Sequence, residues 1–514
     1  MNQTTTSAWQ QYEVGKAYKQ RIGLYETVRR NERFYRGDQW HGSTGELPRP
    51  VFNLVRRITD YLTNSVFPGD VSIHYTDQKL PFLENNTLRE AVENSLARLD
   101  QNAIYRWKQD GMTALVRQAL VDAAISGDGV FYCWWNSESP GAHPFEGDIR
   151  TDLIDSTNLF VADVNRADLQ SQEYILLAGR ASVLSLRKEA REAGHSEKDL
   201  ARIVGDAETD TQAGDLGSFE LQERDKATYL IRFFRENGEV VFEKSTRGLV
   251  IRRVKTGLRL YPVAYFNWHP TKNCFHGSAP VSDMIANQRY INSAYAMIMK
   301  HMHDTAFSKV IYDKSRIPEW SNEVGEAIAA MGGGSVEDAV KVVGTGRMQE
   351  GYLELIDSVI ENTKNMMSAT EAALGDAAAN NTSAIMVLQQ ASRITLEQVS
   401  ANLRKCLSDL LSIWADMLCT YSPPERLLPV IENGVTHAVS ADYALLRQEL
   451  LRAVVEISEI DSYTPAATVT LLDKLLERGD LDVSQYLDLL PPGVLTNREA
   501  VLEKIHAKGE ARNV

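Results

Sequence analysis

The sequence predicts an α+β fold in which helices predominate. Three observations carry it. Two long helical patterns, Val281 to Asp304 and Gly351 to Ala373, bracket a compact insertion; Val130 to Trp268 reads largely as β-structure; and Leu396 to Leu418 holds an apolar stripe at helical spacing. At 514 residues there is room for about three domains of roughly 150 residues each. With 43% apolar and 24% charged residues, each can bury a core.

Gln10 to Tyr35 carries helical periodicity through Tyr18, Ile22, Tyr25, Val28 and Tyr35, and Gly37-Asp38 ends it. A second helix follows the LPRP turn, with Val51, Leu54, Val55, Ile58 and Leu62 on one face and Pro68-Gly69 as its stop. A strand at Val71 to Tyr75 precedes helices over Leu83 to Ile104 and Tyr105 to Ser126. The pattern then turns to β: Val130 to Trp135, Tyr174 to Gly179, Leu249 to Val254 and Leu258 to Trp268 read as strands of one continuing sheet. Thr228 to Arg235 and Glu239 to Lys244 flank Asn237-Gly238, a strong hairpin signal because both residues tolerate positive φ. Ser182 to Val204 reads as a charged amphipathic helix and Asp206 to Gly217 as a polar loop.

The insertion reads as a strand (Ala306 to Asp313), a short helix (Trp320 to Ala330), a turn at Gly332-Gly333-Gly334 and a strand (Ala339 to Val343). The remainder is expected to be helical. Leu396, Val399, Leu403, Leu407, Leu410, Leu411, Trp414 and Leu418 form one stripe, and Leu445, Leu446, Leu450, Leu451, Val454 and Val455 another helix. Thr468 to Leu476 and Ser484 to Leu490 follow, closed by Pro491-Pro492-Gly493.

Chemistry is conspicuous by its absence. Gly344-Thr345-Gly346-Arg347 lacks the spacing and lysine of a phosphate loop, and neither HExxH nor G-x-S-x-G occurs. His301 and His303, two residues apart on a helix, point away from each other and do not grip one ion. Trp134 and Trp135 face opposite sides of a strand, which favours packing over base stacking. Met297, Met299, Met302, Met366 and Met367 read as fillers of helix contacts. Cys133, Cys274, Cys406 and Cys419 contain no CxxC pair and read as buried thiols of a reducing compartment. No signal peptide or membrane span is seen; Asp409 and Asp416 interrupt the most apolar run, and a soluble cytoplasmic product is expected. A net charge of −14 argues against a sequence-reading nucleic-acid binder.

Several stretches resemble the portal proteins of tailed bacteriophages. Tyr35-Arg36-Gly37-Asp38-Gln39-Trp40 resembles the Y-x-G-x-Q motif after their first helix, and PRPVFNLVRRITDYLTNSVF the asparagine-then-helix segment that follows. His276-Gly277-Ser278, then Ile285, Gln288 and Ile291-Asn292, resembles the G-x-S and Q-x-x-I-N signature leading into the stem helix. Gly375 to Ser383 resembles the tunnel loop. The likeness covers nearly the whole chain in element order; Ala181 to Phe219 has no counterpart in it.

The resemblance implies a portal-like architecture: a β-rich wing (1–280), a two-helix stem (281–304 and 351–373), a small α/β clip (305–350), a tunnel loop (374–384), a wing helix (385–400) and a helical crown with C-terminal tail (401–514). It also implies a twelve-subunit ring at one capsid vertex, the head-to-tail connector of a virion, assembled in the host cytoplasm. Double-stranded DNA would pass through it non-specifically during packaging and ejection. Its partners would be the large terminase, a head–tail adaptor, and the major capsid and scaffolding proteins, with no membrane, cofactor, metal or catalytic site. DNA-facing candidates are Gly375, Asp376, Asn380, Asn381, Thr382 and Ser383, small or polar groups that approach phosphates without a cation to trap them. Stem candidates are Gln288, Asn292, Lys300 and Asp304, and docking candidates on the clip are Asp313, Lys314, Arg316 and Glu319.

In such a ring Ile285, Ile291, Tyr295, Ile298 and Met302 would pack the stem, leaving Asn287, Asn292, Lys300 and Asp304 on its surface. The clip strands, too short to hold a core alone, would gain by pairing across subunits. The competing readings are another capsid or tail assembly protein, and a metal-dependent nuclease or hydrolase using Asp60, Asp122 and Asp128, whose places near helix ends also suit capping.

Overall fold

The computed structural model describes residues 6–42, 47–139, 147–206, 226–305, 309–321, 328–343, 351–370, 394–432, 435–448, 451–458, 464–479, 481 and 483–490. It is mixed α and β, as expected. Helix α1 (Ser7–Arg21) is capped by the Thr6 side chain on the Trp9 N–H, and α2 (Leu24–Arg36) follows at once. The single helix expected from Gln10 to Tyr35 is thus two, because Gly23 turns the chain with a left-handed φ of 67°. Lys19 of α1 is buried, its Nζ donating to the carbonyls of Ser156 at 3.0 Å and Thr157 at 2.8 Å; burial lowers its pKa to about 7. After α3 (Leu54–Val66) and β1 (Asp70–Asp77), α4 (Asn86–Gln109) and α5 (Met112–Ser126) are separated by Gly111 at φ 62°.

Strands β2 (Asp128–Asn136) and β3 (Asp148–Leu153) pair antiparallel. Next, β4 (Leu159–Val161), β5 (Tyr174–Ser182), β6 (Lys226–Glu236), β7 (Glu239–Ser245) and β8 (Val250–Lys255) form a five-stranded antiparallel sheet in chain order. Asn237 and Gly238 turn β6 into β7 with φ of 55° and 85°. Between β5 and β6, the long helix expected over Ser182 to Val204 is split into α6 (Val183–Glu192) and α7 (Glu197–Leu200) by Gly194 at φ 90°. The loop expected from Asp206 to Gly217 lies, Asp206 apart, outside the described residues. Strand β9 (Val263–Asn267) does not continue the larger sheet as expected; it pairs with β2 and carries the chain into the interior.

Helix α8 (Pro280–Thr305) is half embedded. Val281, Met284, Ile285, Gln288, Ile291, Asn292 and Ala296 are buried, whereas Met297 and Met302 are 60% and 61% exposed. Beyond it, β10 (Lys309–Tyr312) and β11 (Val340–Val343) pair antiparallel with each other. Trp320, Ser321 and residues 328–330 are not helical, and the rest of the helix expected there lies outside the described residues. Helix α9 (Gly351–Met366) packs on α8, with Asn287 Nδ2 donating to Thr363 Oγ1 at 2.9 Å. It stops short of the expected Ala373, and Ser368 takes a left-handed φ of 56°.

Helix α10 (Glu397–Tyr421) carries the expected stripe into the centre of the main core, where Leu403, Cys406, Leu407, Leu410, Leu411 and Trp414 are buried against β9, β2 and other strands. Part of the region expected as a crown from residue 401 therefore shares its core with the first 280 residues. A hairpin of β12 (Leu427–Glu432) and β13 (Val435–Ser440) follows where helix was expected. The apolar run at 445–455 divides into α11 (Tyr443–Gln448) and β14 (Leu451–Ser458). Strand pairing decides the second half: β14 aligns with β1 residue for residue, Ile73 opposite Val455, burying Ala453 and Val455 while Val454 stays exposed. Helices α12 (Thr464–Arg478) and α13 (Val483–Leu489) close around a small cluster of Leu472, Leu487 and Leu490.

Asp122 on α5 offers a test of this packing. Burial pushes its carboxyl up to about 7, and the charges of Asp155 and Glu32 add to the rise. Its ionisation is therefore a cost: absent below about pH 4, where the group is protonated folded and unfolded alike, growing as pH rises, and constant above about 7. Asp122→Asn should raise stability by about 1–2 kcal/mol at pH 8 and by almost nothing at pH 4, read from urea unfolding midpoints at both.

Candidate functional site

Four amide side chains, far apart in sequence, form one buried chain where α2, α3 and α8 meet. Asn53 caps α3 by accepting from the Arg56 N–H at 3.1 Å, and its Nδ2 donates to Tyr35 O at 2.9 Å. Gln39, just beyond α2, donates through Nε2 to Asn53 Oδ1 at 3.1 Å and to Phe34 O at 3.0 Å. Its Oε1 accepts from Asn292 Nδ2 at 2.7 Å. Asn292 Oδ1 in turn accepts from Gln288 Nε2 at 2.9 Å, the two lying one turn apart on α8. Gln288 completes the chain by donating to Phe52 O at 2.8 Å and accepting from the Leu54 N–H at 3.0 Å and the Val55 N–H at 3.3 Å.

Gln288 and Asn292 are 1% and 2% exposed, so only full satisfaction makes this arrangement tolerable. None of the four leaves a buried side-chain atom without a partner. Gln288 also takes up two backbone donors at the start of α3 that no turn of helix can supply with acceptors. The chain therefore fixes α8 in register and rotation against α2 and α3.

A second buried knot holds the start of α8. Asp128, at 1% exposure, accepts from the Tyr265 hydroxyl at 2.8 Å, Asn267 Nδ2 at 3.0 Å, His276 Nδ1 at 2.6 Å and the Gly277 N–H at 2.8 Å. Burial lowers the His276 pKa, which keeps the imidazole neutral with its proton on the nitrogen facing Asp128. Gly277 has no room for a side chain: a Cβ there would stand 2.6 Å from Gly127 O and 2.9 Å from Asn267 Cβ. Neutral donors converging on a carboxylate in a filled core make a clamp.

The expected site residues fall in three places. Gln288 and Asn292 lie in the junction, and Asn292, expected on the surface, is buried because Gln39 receives its amide. Lys300 and Asp304 pair at 3.3 Å on the exposed end of α8. On the clip, Asp313 accepts from the Ser315 N–H at 2.9 Å and hydroxyl at 2.6 Å, which holds its pKa low. Arg316 donates to Ser335 O at 3.2 Å, and Lys314 and Glu319 are exposed. Gly375, Asp376, Asn380, Asn381, Thr382 and Ser383 lie outside the described residues.

Of the thiols, Cys274 is only half-buried, its Sγ 3.2 Å from the Tyr18 hydroxyl. Asp60 accepts from the Tyr35 hydroxyl at 2.9 Å, while Asp128 is consumed by its four donors. Sequence reasoning missed Tyr265 and Asn267; their signal was a pair of polar groups in an otherwise apolar strand.

Gln288→Leu keeps the volume but strands the Val55 N–H and Asn292 Oδ1, leaving the Leu54 N–H only the Phe52 carbonyl. It should lower stability by roughly 2–4 kcal/mol, measured by urea unfolding.

Among the described residues no helix is long and apolar enough to cross a membrane, and no group of three or more His, Cys, Asp or Glu is placed to hold a metal. No curated protein matches the chain. Residues 263–468, running from β9 into α12, match the model of the phage P22-like portal protein family, and that match supports a phage portal protein.

Proposed function

We propose that the chain assembles into a closed ring at one capsid vertex, through which DNA is packaged and later ejected. The match across residues 263–468 carries this reading, since it takes in α8, α9, the residues between them and α10. The family is structural rather than enzymatic, and its place is the capsid vertex of a virion. No reaction is assigned to this chain.

The exposed half of α8 and its partner α9 fit the proposal. Met297, Met302, Tyr352 and Leu353 are between 46% and 61% exposed, more apolar surface than one helical hairpin usually leaves to water. Neighbouring subunits would cover it. Lys300 and Asp304 would then face water or the channel, paired with each other, so that their net charge neither attracts nor repels DNA. Residues 374–384 are proposed as the loop nearest the DNA, with Gly375, Asp376, Asn380, Asn381, Thr382 and Ser383 as its contacts.

The clip, residues 305–350, is proposed as the seat for the large terminase during packaging and for the head–tail adaptor afterwards, with Asp313, Lys314, Arg316 and Glu319 as contact residues. The major capsid and scaffolding proteins would surround the wing. Strands β10 and β11 satisfy each other within one chain and still leave an outer edge on each, available to neighbouring clips.

Electron microscopy of the purified protein should show rings with rotational symmetry, twelvefold by family expectation, and a central opening wide enough for duplex DNA. Compact monomers under every assembly condition would remove the proposal. Deleting residues Pro318 to Gly346 should leave the ring intact and abolish terminase and adaptor binding in pull-downs; unchanged binding would move the docking site elsewhere.

A further inference from the structure

A cleft along α10 lies outside the junction and the stem, and only its extension reaches Tyr265 and Asn267 of the clamp. Its floor is one face of the helix, where Lys405, Asp409, Ser412, Asp416 and Cys419 recur at intervals of four and three and line a cavity of about 490 Å³. At 1.5 Å rise per residue that face is about 21 Å long. Asp416 builds one wall by accepting the backbone N–H groups of Arg259 at 2.8 Å and Leu260 at 3.0 Å. Leu446, Arg447, Leu451 and Arg452 supply the opposite wall. A cavity of about 170 Å³ shares Asp168, Gln170, Lys405 and Asp409 with the first and extends it.

The charges of this cleft are unusual for a chain of net charge −14. Lys405, Arg259, Arg447 and Arg452 line it, all exposed at its rim. Arg447 donates to Gly257 O at 3.3 Å, while Lys405, Arg259 and Arg452 make no ion pair among the described residues. The acids opposite them are partly spent. Asp416 is engaged by two backbone donors, and Asp168 accepts from the Gln170 N–H at 3.2 Å. Asp409 faces Lys405 and Arg452 without an ion pair to either, and burial raises its pKa despite them. Beside these cations the half-buried Leu260 and Leu451 add apolar surface to the cleft.

We propose that this cleft docks an acidic peptide segment of a partner protein. Its carboxylates would sit on Lys405, Arg259 and Arg452, and its apolar side chains on Leu260 and Leu451. The volume suits a short peptide. A DNA duplex fits worse, because its convex backbone carries phosphates but no apolar groups for the floor. The proposal goes beyond the portal reading and does not depend on it.

Fluorescence anisotropy with a fluorescein-labelled decapeptide alternating glutamate and leucine tests it on the full chain. The wild type should bind this peptide and not its lysine–leucine counterpart. Lys405→Glu combined with Arg452→Glu, both at exposed positions, should weaken binding at least about tenfold with an unchanged thermal midpoint. Absence of binding, equal binding of the lysine peptide, or an unaffected double variant would each overturn the proposal. So would displacement of the peptide by equimolar short duplex DNA, which would assign the cations to phosphate. If the double variant stayed monomeric where the wild type forms rings, the occupant would be a second copy and the partner peptide would be wrong.

Discussion

The carboxylate of Asp128 is the interaction on which the rest of the structure depends. It sits where α5 gives way to β2, and it gathers the Tyr265, Asn267, His276 and Gly277 donors into one place. A buried carboxylate is tolerated only when its oxygens are occupied, so the position of each donor is set by the need to reach it. Because Gly277 is one of them, the direction in which α8 leaves the core is fixed at its first turn. Gly127 and Gly277 approach too closely for any side chain to intervene, which removes the remaining freedom.

The amide chain of Gln39, Asn53, Gln288 and Asn292 does the complementary work two to three turns further on. One clamp sets where α8 begins; the other sets how it is rotated. Between them the helix is held with its first half embedded, while its second half packs on α9 and leaves Met297 and Met302 exposed. Dispersion packing alone would resist sliding less selectively, since Leu and Ile side chains tolerate small shifts that a hydrogen-bonded amide does not.

Much of this was legible in the sequence at the level of elements. The Asn237-Gly238 turn declared its hairpin because few residue pairs accept two positive φ angles, and the stripe from Leu396 to Leu418 had only one sensible period. The residues of the junction were also visible singly, as the glutamine of one motif, the asparagine of another and the Q-x-x-I-N of a third. Their meeting was not, since Gln39 and Asn292 stand 253 positions apart and no local pattern encodes the contact. Asp128 read as one of three acids near helix ends, beside Asp60 and Asp122, for the same reason. The run at 445–455 reads as helix, which holds for Leu445 and Leu446; in its second half Leu and Val satisfy either period, and only the distant strand β1 chooses between them.

That pairing of β1 with β14 has a bearing on how the molecule comes into being. It joins Asp70 to Ser458 and Asp77 to Leu451, so the two-stranded sheet cannot close until Leu451 to Ser458 have been synthesised, long after β1. Until then Ile73 and Tyr75 lack the partners that bury them, and α10 lacks the strand on which Ser408 and Ser412 hydrogen-bond. Contacts of such sequence separation form slowly, and the waiting chain displays an open strand edge. The nascent chain is thus kept incomplete by its own topology, and its core closes only once the segment carrying β14 has been made.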